Sequence, residues 1–270
     1  MAYKIENKVV LITGAATGIG ALVVQYLLRD GAGYVAVLDV NEDAGTSLEN
    51  ELNTMYNAPK VKFIKCDVSN EEELIGAFNT VLKEKGYIDV VINNAGIMND
   101  SKRLYKKSIE VNYSALVTST LKAIEVMRKD LGGKGGTVIN ISSVAALCQN
   151  PLTPIYYGTK SAVLQFSNCI GLPEYYLTTG VRVLTICFGA TNTPLLTNIG
   201  YVDELNGDKL ADFIKAFRRQ RPESAAQGVI DAFKMGESGS TWLSTHDEPA
   251  KDITDTVKAA YKMLSDLVFY

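Results

Sequence analysis

Short runs rich in Val and Ile alternate along the chain with segments whose apolar residues recur at helical spacing. VVLIT (9–13), YVAVLD (34–39), VKFIKCDV (61–68), DVVIN (89–93), TVINIS (137–142) and VRVLTIC (181–187) read as strands, each bounded by Gly or polar residues. Residues 18–30, 42–55, 71–85, 101–130 and 156–177 read as helices. Near-continuous apolar strands set between helices predict an α/β fold, a doubly wound parallel sheet with helices on both faces. No repeat, low-complexity stretch or linker divides the sequence, so residues 1–270 are expected to form a single domain. Pro173 falls in the second half of a helical pattern and should kink or end it. The stretch 189–222 has no strand pattern and follows the sixth strand. Ligands of such sheets bind beyond the carboxyl ends of the strands, so this stretch is expected to act as a lid.

Composition narrows the possibilities. Lys and Arg total 27 against 30 Asp and Glu, a net charge of −3 that attracts neither nucleic acid nor an acidic membrane surface. The densest basic run, RRQRP at 218–222, reads as a solvated helix face. No apolar stretch reaches the roughly 20 residues that span a bilayer, and the N-terminus lacks the order of a signal peptide. The cysteines at 66, 148, 169 and 187 are widely spaced without a CxxC, as expected of buried, reduced thiols in a cytoplasmic protein. His246 is the only histidine, which excludes a histidine-rich zinc site and leaves catalysis to other groups.

TGAATGIG (13–20) follows the first strand and opens the first helix. Gly14, Gly18 and Gly20, with Thr17 and Ile19 between them, would permit a tight turn and close backbone approach to a pyrophosphate at the helix N-terminus. Asp39 ends the second strand, 19 residues beyond Gly20. Its carboxylate can accept from ribose hydroxyls and repel a 2′-phosphate, although an aspartate there can also merely terminate its strand. No Lys or Arg lies between Thr13 and Arg29 or between Val40 and Asn50. NAD is therefore the expected cofactor rather than NADP.

IYYGTK (155–160) sets two tyrosines before a lysine. On a helix Tyr156 is offset from Lys160 by about 40° and Tyr157 by about 60° the other way, so geometry alone leaves both open as the chemical group. TGAATGIG, NNAG (93–96), the Asn of EVNYSA at 112, INISS (139–143) and YYGTK (156–160) together resemble the short-chain dehydrogenase/reductase family, a Rossmann-fold family. They occur in its order and at its spacing, and the likeness covers residues 5–250. The family pattern Tyr-x-x-x-Lys selects Tyr156, and Ser143 stands 13 residues before it, as the resemblance requires.

The resemblance implies a catalytic set of Asn112, Ser143, Tyr156 and Lys160. Tyr156 would be the base, its pKa near 10 drawn down by the Lys160 ammonium, which would also hold the nicotinamide ribose. Ser143 would donate to the substrate oxygen, and Asn112 would hold a water linking Lys160 to solvent. Asn94, Ala95 and Gly96 are expected on the adenosine side of the cofactor, Asp67 and Val68 near the adenine, and Gly189, Thr191 and Thr193 at the carboxamide. Ser142 should point away from Ser143, and Tyr157 should pack or form a pocket wall. Two departures from the family pattern bear on the substrate: Phe188 replaces a usual proline, and Ala146 stands where a glycine is common.

The leading expectation is NAD-dependent oxidation of a secondary or primary alcohol, reversible to the carbonyl. The alternatives are an NADPH-dependent carbonyl reductase and a non-catalytic protein that binds the cofactor. Leu147, Leu152, Leu195, Leu196, Ile199 and Tyr201, with Ser143 and Tyr156, are expected to line an apolar substrate site. The family also implies a homodimer or homotetramer joined through the helices at 101–130 and 156–177, and the apolar MLSDLVFY end could pack across the partner.

Overall fold

In a computed structural model, residues 2–197, 199–202 and 217–269 are described. Seven parallel strands run β1 (Val9–Thr13), β2 (Tyr34–Asp39), β3 (Val61–Lys65), β4 (Val90–Asn93), β5 (Gly136–Ser143), β6 (Val181–Phe188) and β7 (Thr241–Ser244). A short antiparallel β8 (Lys251–Asp252) closes the edge, and the spatial order is β3-β2-β1-β4-β5-β6-β7-β8. The strand order reverses between β1 and β4, the switch point at which a crevice opens in doubly wound sheets.

Alternation along β1 shows how the sheet divides its cores. Val10 and Ile12 pack on one face with Val23, Val24 and Leu27 of α1 (Gly18–Arg29), whereas Val9 and Leu11 pack on the other with Phe78 and Val81 of α3 (Glu71–Lys85). The strand is buried along its whole length, which is why it reads as a continuous apolar run. α2 (Glu42–Met55) covers the outer edge, capped by Asn41, whose side chain accepts from Ala44 N.

The predicted helix at 101–130 is broken. α4 (Tyr105–Ile109) passes into a single π turn (Glu110–Ser114) before α5 (Ala115–Met127) continues. The predicted 156–177 helix starts earlier, with Pro154 at its first position, and stops at Ile170. Pro173 then opens a separate short helix, so α6 (Pro154–Ile170) and α7 (Pro173–Thr179) replace one element, as a proline without an N–H requires. Four side chains lock α5 and α6 to the sheet. Asn93 Nδ2 donates to Asn140 Oδ1 (2.8 Å) and Thr120 Oγ1 (3.1 Å), and Asn140 Nδ2 donates to Ser167 Oγ (2.9 Å).

Three expectations need correction. RRQRP lies in irregular chain leading into α8 (Pro222–Met235), and its Gln220 is buried, donating to Thr191 Oγ1 (3.0 Å) and Ser244 O (2.9 Å). The basic run is thus split by a core polar anchor rather than spread on a helix face. Cys66 and Cys187 are buried, but Cys148 and Cys169 are exposed, because the turn after residue 146 and the outer side of α6 carry them outward. The predicted strand set also lacked β7 and β8, which are only four and two residues long. Of the expected lid, residue 198 and residues 203–216 lie outside the described residues. The last helix, α9 (Thr254–Phe269), buries Val257 and leaves Leu264, Leu267, Val268 and Phe269 exposed. Among the described residues no helix is long and apolar enough to cross a membrane.

Candidate active site

A cavity of about 830 Å³ opens over the carboxyl ends of the strands. Its floor is the β1–α1 turn. Gly14 and Gly18 have φ of +62° and +58°, a left-handed conformation that side chains oppose. A Cβ on Gly14 would lie 2.7 Å from Ala95 Cα, and one on Gly20 would lie 2.7 Å from Asn94 Nδ2. Glycine at both positions thus lets the turn and the start of α1 pack directly against the Asn94–Ala95 segment. α1 has no acidic residue in its first turn, and Thr17, its N-cap, makes no side-chain capping bond. Its first N–H groups are available to an anion, and this fits the pyrophosphate of a dinucleotide.

Asn94 fastens this floor to β4. Its Nδ2 donates to Thr13 O (3.0 Å) and Gly14 O (2.7 Å), while Asn94 N and Ala95 N both donate to Thr13 Oγ1 (3.1 Å). Asp39 stands at the rim. It accepts from Ala16 N (3.0 Å) on Oδ2 and from Asn41 N (3.0 Å) on Oδ1, so the carboxylate is oriented by backbone on both sides. Thr17, Ile19, Asp67, Val68, Gly96, Gly189, Thr191 and Thr193 share the same wall.

Two cations near this rim escape a reading of chain neighbours alone. Lys107 of α4 lines the cavity and bonds Asp67 Oδ2 (2.7 Å), and Lys65 sits in register with Asp39 on β3 and bonds Glu42 Oε2 (2.8 Å). The expectation that no cation lies nearby is therefore corrected: both arrive from elements distant in sequence, and each is already engaged by a carboxylate. Burial is the largest single influence on Asp67 and raises it, but hydrogen bonds from Lys107, Ser69 Oγ and Ser69 N together with the Lys107 charge outweigh it and hold the carboxyl below its ordinary range.

Ser143, Tyr156 and Lys160 meet at the other end of the cavity. Ser143 ends β5, its Oγ accepting from Ala145 N (3.1 Å) and donating to Phe188 O (3.3 Å). The pleat sends Ser142 the other way, where its Oγ donates to Lys160 O (2.8 Å). Tyr156 and Lys160 lie on α6, with Lys160 Nζ 5.7 Å from the Tyr156 ring centroid and donating to Ile141 O (3.1 Å). Tyr157 stacks edge-on to Tyr156 and forms part of the cavity wall.

Asn112 sits behind this wall, fully buried in the π turn. Its Oδ1 accepts from Ile97 N (2.8 Å), and its Nδ2 donates to Ile97 O (2.8 Å) and Thr159 Oγ1 (3.3 Å). A Cβ on Gly96 would lie 3.4 Å from Asn112 Oδ1 and 3.6 Å from Lys160 Nζ, which places the three together. Single π turns of this kind occur often at functional sites, and apolar periodicity does not reveal them.

Electrostatics differ from the expectation for an isolated Tyr–Lys pair. Burial pushes Tyr156 up to about 12, with the Ser143 hydroxyl pulling it down and the Asp100 carboxylate pushing it further up. Burial also pushes Lys160 down to about 8. In the protein alone, burial is the leading influence on both groups and opposes the charged form of each.

The substrate wall is only partly as predicted. Leu195, Leu196 and Ile199 line the cavity, joined by Phe188, the residue in place of the family's usual proline, and by Met98, Ala145 and Phe217, which lie outside the expected set. Leu147, Leu152 and Tyr201 do not line it. The 3₁₀ turn Val144–Ala146 rotates the chain so that Ala145 faces inward and Leu147, 41% exposed, faces solvent. Leu152 lies in the turn before α6, where its N–H bonds Asn150 Oδ1 (2.8 Å). Tyr201 follows Gly200, which pairs with Asn99 in an isolated parallel bridge that ends the cavity-facing run. Ala146, at the position where the family prefers glycine, likewise lies off the wall and does not narrow the cavity.

The match to the short chain dehydrogenase family over residues 8–202 places the chain in that family of oxidoreductases. The chain is 32% identical to human 15-hydroxyprostaglandin dehydrogenase [NAD(+)] over 231 residues, covering 84% of this chain and 86% of that one. It is 31% identical to alcohol dehydrogenase 2 of Ceratitis capitata over 257 residues, covering 94% and 96%. Among solved structures, 3-ketoacyl-(acyl-carrier-protein) reductase from Brucella melitensis complexed with NADH superposes with a TM-score of 0.76. It covers 90% of this chain and 98% of that one at 22% identity, a likeness of fold.

Proposed function

We propose that the chain is an NAD-dependent dehydrogenase that oxidises an apolar secondary or primary alcohol to the carbonyl, reversibly. The observation that carries this reading is the meeting of Ser143, Tyr156 and Lys160 in one cavity with a glycine-built nucleotide floor. NAD⁺, when bound, supplies the hydride acceptor; it would lie on the Gly14–Gly20 turn, with Asp39 toward the adenosine ribose and Thr191 and Thr193 toward the carboxamide.

Each residue then has a distinct task. Ser143 Oγ donates to the alcohol oxygen and fixes its position beside the Tyr156 hydroxyl. Tyr156, as phenolate, takes the hydroxyl proton. Lys160, when charged, favours that phenolate and holds the nicotinamide ribose. Asn112 anchors the chain at Ile97 and Thr159 and supports proton exchange with solvent. Leu195, Leu196, Ile199, Met98 and Phe188 give an apolar wall with few polar anchors, suited to an alcohol of moderate size.

The relatives named for NAD(+) and for alcohol dehydrogenase support the cofactor and reaction. The oriented Asp39 and the carboxylate-engaged Lys65 and Lys107 also favour NAD over NADP. The test is NAD⁺ reduction across linear, terpenoid, steroid and hydroxy-fatty-acid alcohols, followed by absorbance of the reduced nicotinamide. Turnover with apolar alcohols is expected. Better turnover of short polyols overturns the substrate class, and no reduction with any alcohol favours the non-catalytic binding protein. The same reading includes a single-domain protomer whose 189–222 stretch covers the substrate, and a homo-oligomer joined through α4–α5 and α6–α7. A monomer by light scattering at micromolar concentration overturns the latter.

A further inference from the structure

The loop after Gly96 holds a carboxylate that no step above uses. Asp100 is 1% exposed, and its oxygens point at the start of α6. Oδ2 accepts from Ile155 N (2.6 Å), and Oδ1 accepts from Tyr156 N (3.0 Å). The helix needs this partner from outside. Its own N-cap, Thr153, makes no side-chain capping bond, and Pro154 has no N–H, so Ile155 and Tyr156 carry unsatisfied donors. A carboxylate satisfies both and complements the positive end of the helix, whereas an amide offers one acceptor and turns a donor toward the other N–H.

The backbone of the same residues grips a second part of the site. Asp100 N donates to Gly200 O (2.9 Å), and Gly200 N donates to Met98 O (3.1 Å). Met98 and Ile199, on either side of this bridge, both line the cavity. The loop is itself fixed to α4, since Ser108 Oγ donates to Asn99 O (2.6 Å). We propose that Asp100 is a positioning residue that joins the substrate-side chain at Ile199–Tyr201 to the first turn of the Tyr156 helix, so that the substrate wall and the base are held in one frame. This inference rests on Tyr156 being the base.

Its charge gives the role a signature beyond structure. Among the described residues no cation pairs with Asp100, so its field acts on Tyr156 and opposes loss of the phenolic proton. The other groups around Tyr156 are Lys160 and Tyr157 on its own helix and Ser143 at the end of β5; Cys148 lies against Tyr157, and Cys187 of β6 acts on Lys160. On the elements packed against α6, Lys107 is engaged by Asp67, Tyr105 is half-buried, Tyr113 stacks on Phe166, and Lys106 and Glu110 are exposed. Removing the Asp100 charge should therefore make Tyr156 easier to ionise while loosening its placement.

The experiment is the pH profile of alcohol oxidation by the full chain with NAD⁺, for wild type, Asp100→Asn, Gly200→Ala and Tyr156→Phe. Asp100→Asn should lower kcat about 10- to 100-fold through misplacement of the base, with NAD affinity unchanged. The acid limb of its kcat profile should also move down by about 1 pH unit. Gly200→Ala, whose Cβ would collide with the Asn99 side chain, should raise KM for the alcohol and leave the acid limb in place. If Asp100→Asn does not fold, Asp100→Ser, which keeps one acceptor, carries the same expectation. An unchanged acid limb and kcat in the Asp100 variant, with Tyr156→Phe inactive, overturns the role of Asp100 alone. An unchanged KM in Gly200→Ala overturns the link to the substrate wall. An active Tyr156→Phe overturns the reading of Tyr156 as the base.

Discussion

The two ends of the cavity are built from different materials. At the nucleotide end the wall is mostly backbone: Gly14, Gly18 and Gly20 in fixed conformations, and N–H groups at the start of α1. At the substrate end it is side chains on short irregular pieces, the 3₁₀ turns Val144–Ala146 and Pro194–Leu196 and the bridge at Gly200. Backbone demands leave a mark in sequence, because only glycine meets a positive φ with a Cβ-sized gap. A side chain on an irregular turn leaves none, since one residue of rotation exchanges Ala145 for a neighbour at the wall. The first end should therefore fail sharply and the second gradually when altered.

The largest effect tests where the two ends meet. Tyr156→Phe keeps the ring and removes the oxygen, so turnover should fall by about 10²–10⁴-fold with NAD binding retained. Tyr157→Phe should cost far less, and the opposite order would reassign the base. Lys160→Met should also lose turnover, yet stabilise the cofactor-free protein. Burial lowers Lys160 from 10.5 to about 8, so the folded state disfavours its charge. The penalty applies fully below about pH 8 and fades as pH rises toward 10.5. It corresponds to about 3 kcal/mol, at 1.36 kcal/mol per pKa unit. Thermal melts of both proteins at pH 7 check this, and a lower Tm in the variant refutes it.

Next comes the rim. Asp39→Ala should shift the NAD-to-NADP preference by about 30- to 150-fold, equivalent to roughly 2–3 kcal/mol of lost repulsion and ribose bonding. Recovery of NADP use should stay partial while Lys65 and Lys107 remain tied to Glu42 and Asp67. The measurement is kcat/KM for both cofactors, and an unchanged ratio shows that Asp39 does not read the ribose. The smallest effects sharpen the contrast at the substrate end. Leu196→Ala, on the wall, should raise KM for an apolar alcohol by about tenfold, whereas Leu147→Ala, facing solvent, should change nothing measurable. Equal effects would mean that the wall extends beyond its present lining.

The legibility of the molecule follows the same division. Five of the predicted strands are legible because near-complete burial demands runs of Val, Ile and Leu, and edge strand β3 keeps Val, Phe and Ile among its lysines, while TWLS at β7 carries no such run and gains its burial from pairing with β6. Every residue expected around the nucleotide lies on the cavity wall, because turn and strand end set their direction together. Leu147, Leu152 and Tyr201 missed it because hydrophobicity says that a residue seeks burial without saying on which side. The roles of Lys107 and Asp100 are illegible in sequence for a different reason. Their partners, Asp67 and the start of α6, are 40 and about 55 residues away, and only the assembled sheet brings them within reach.

The π turn at Glu110–Ser114 carries a consequence for the length of the chain. It accommodates one residue more than an α-helix would over the same rise. Deleting any one of these five would let α4 run straight into α5 with no loss of helix. Five residues of a π turn and four of an α-helix sweep nearly the same angle, so α4 and α5 would keep their relative facing. The loss would fall on the turn itself, where the widened backbone sets Asn112 against Ile97 and Thr159. A one-residue deletion there should therefore spare the core that α5 buries and cost the Asn112 contacts, so the harm would be to the site and not to the fold.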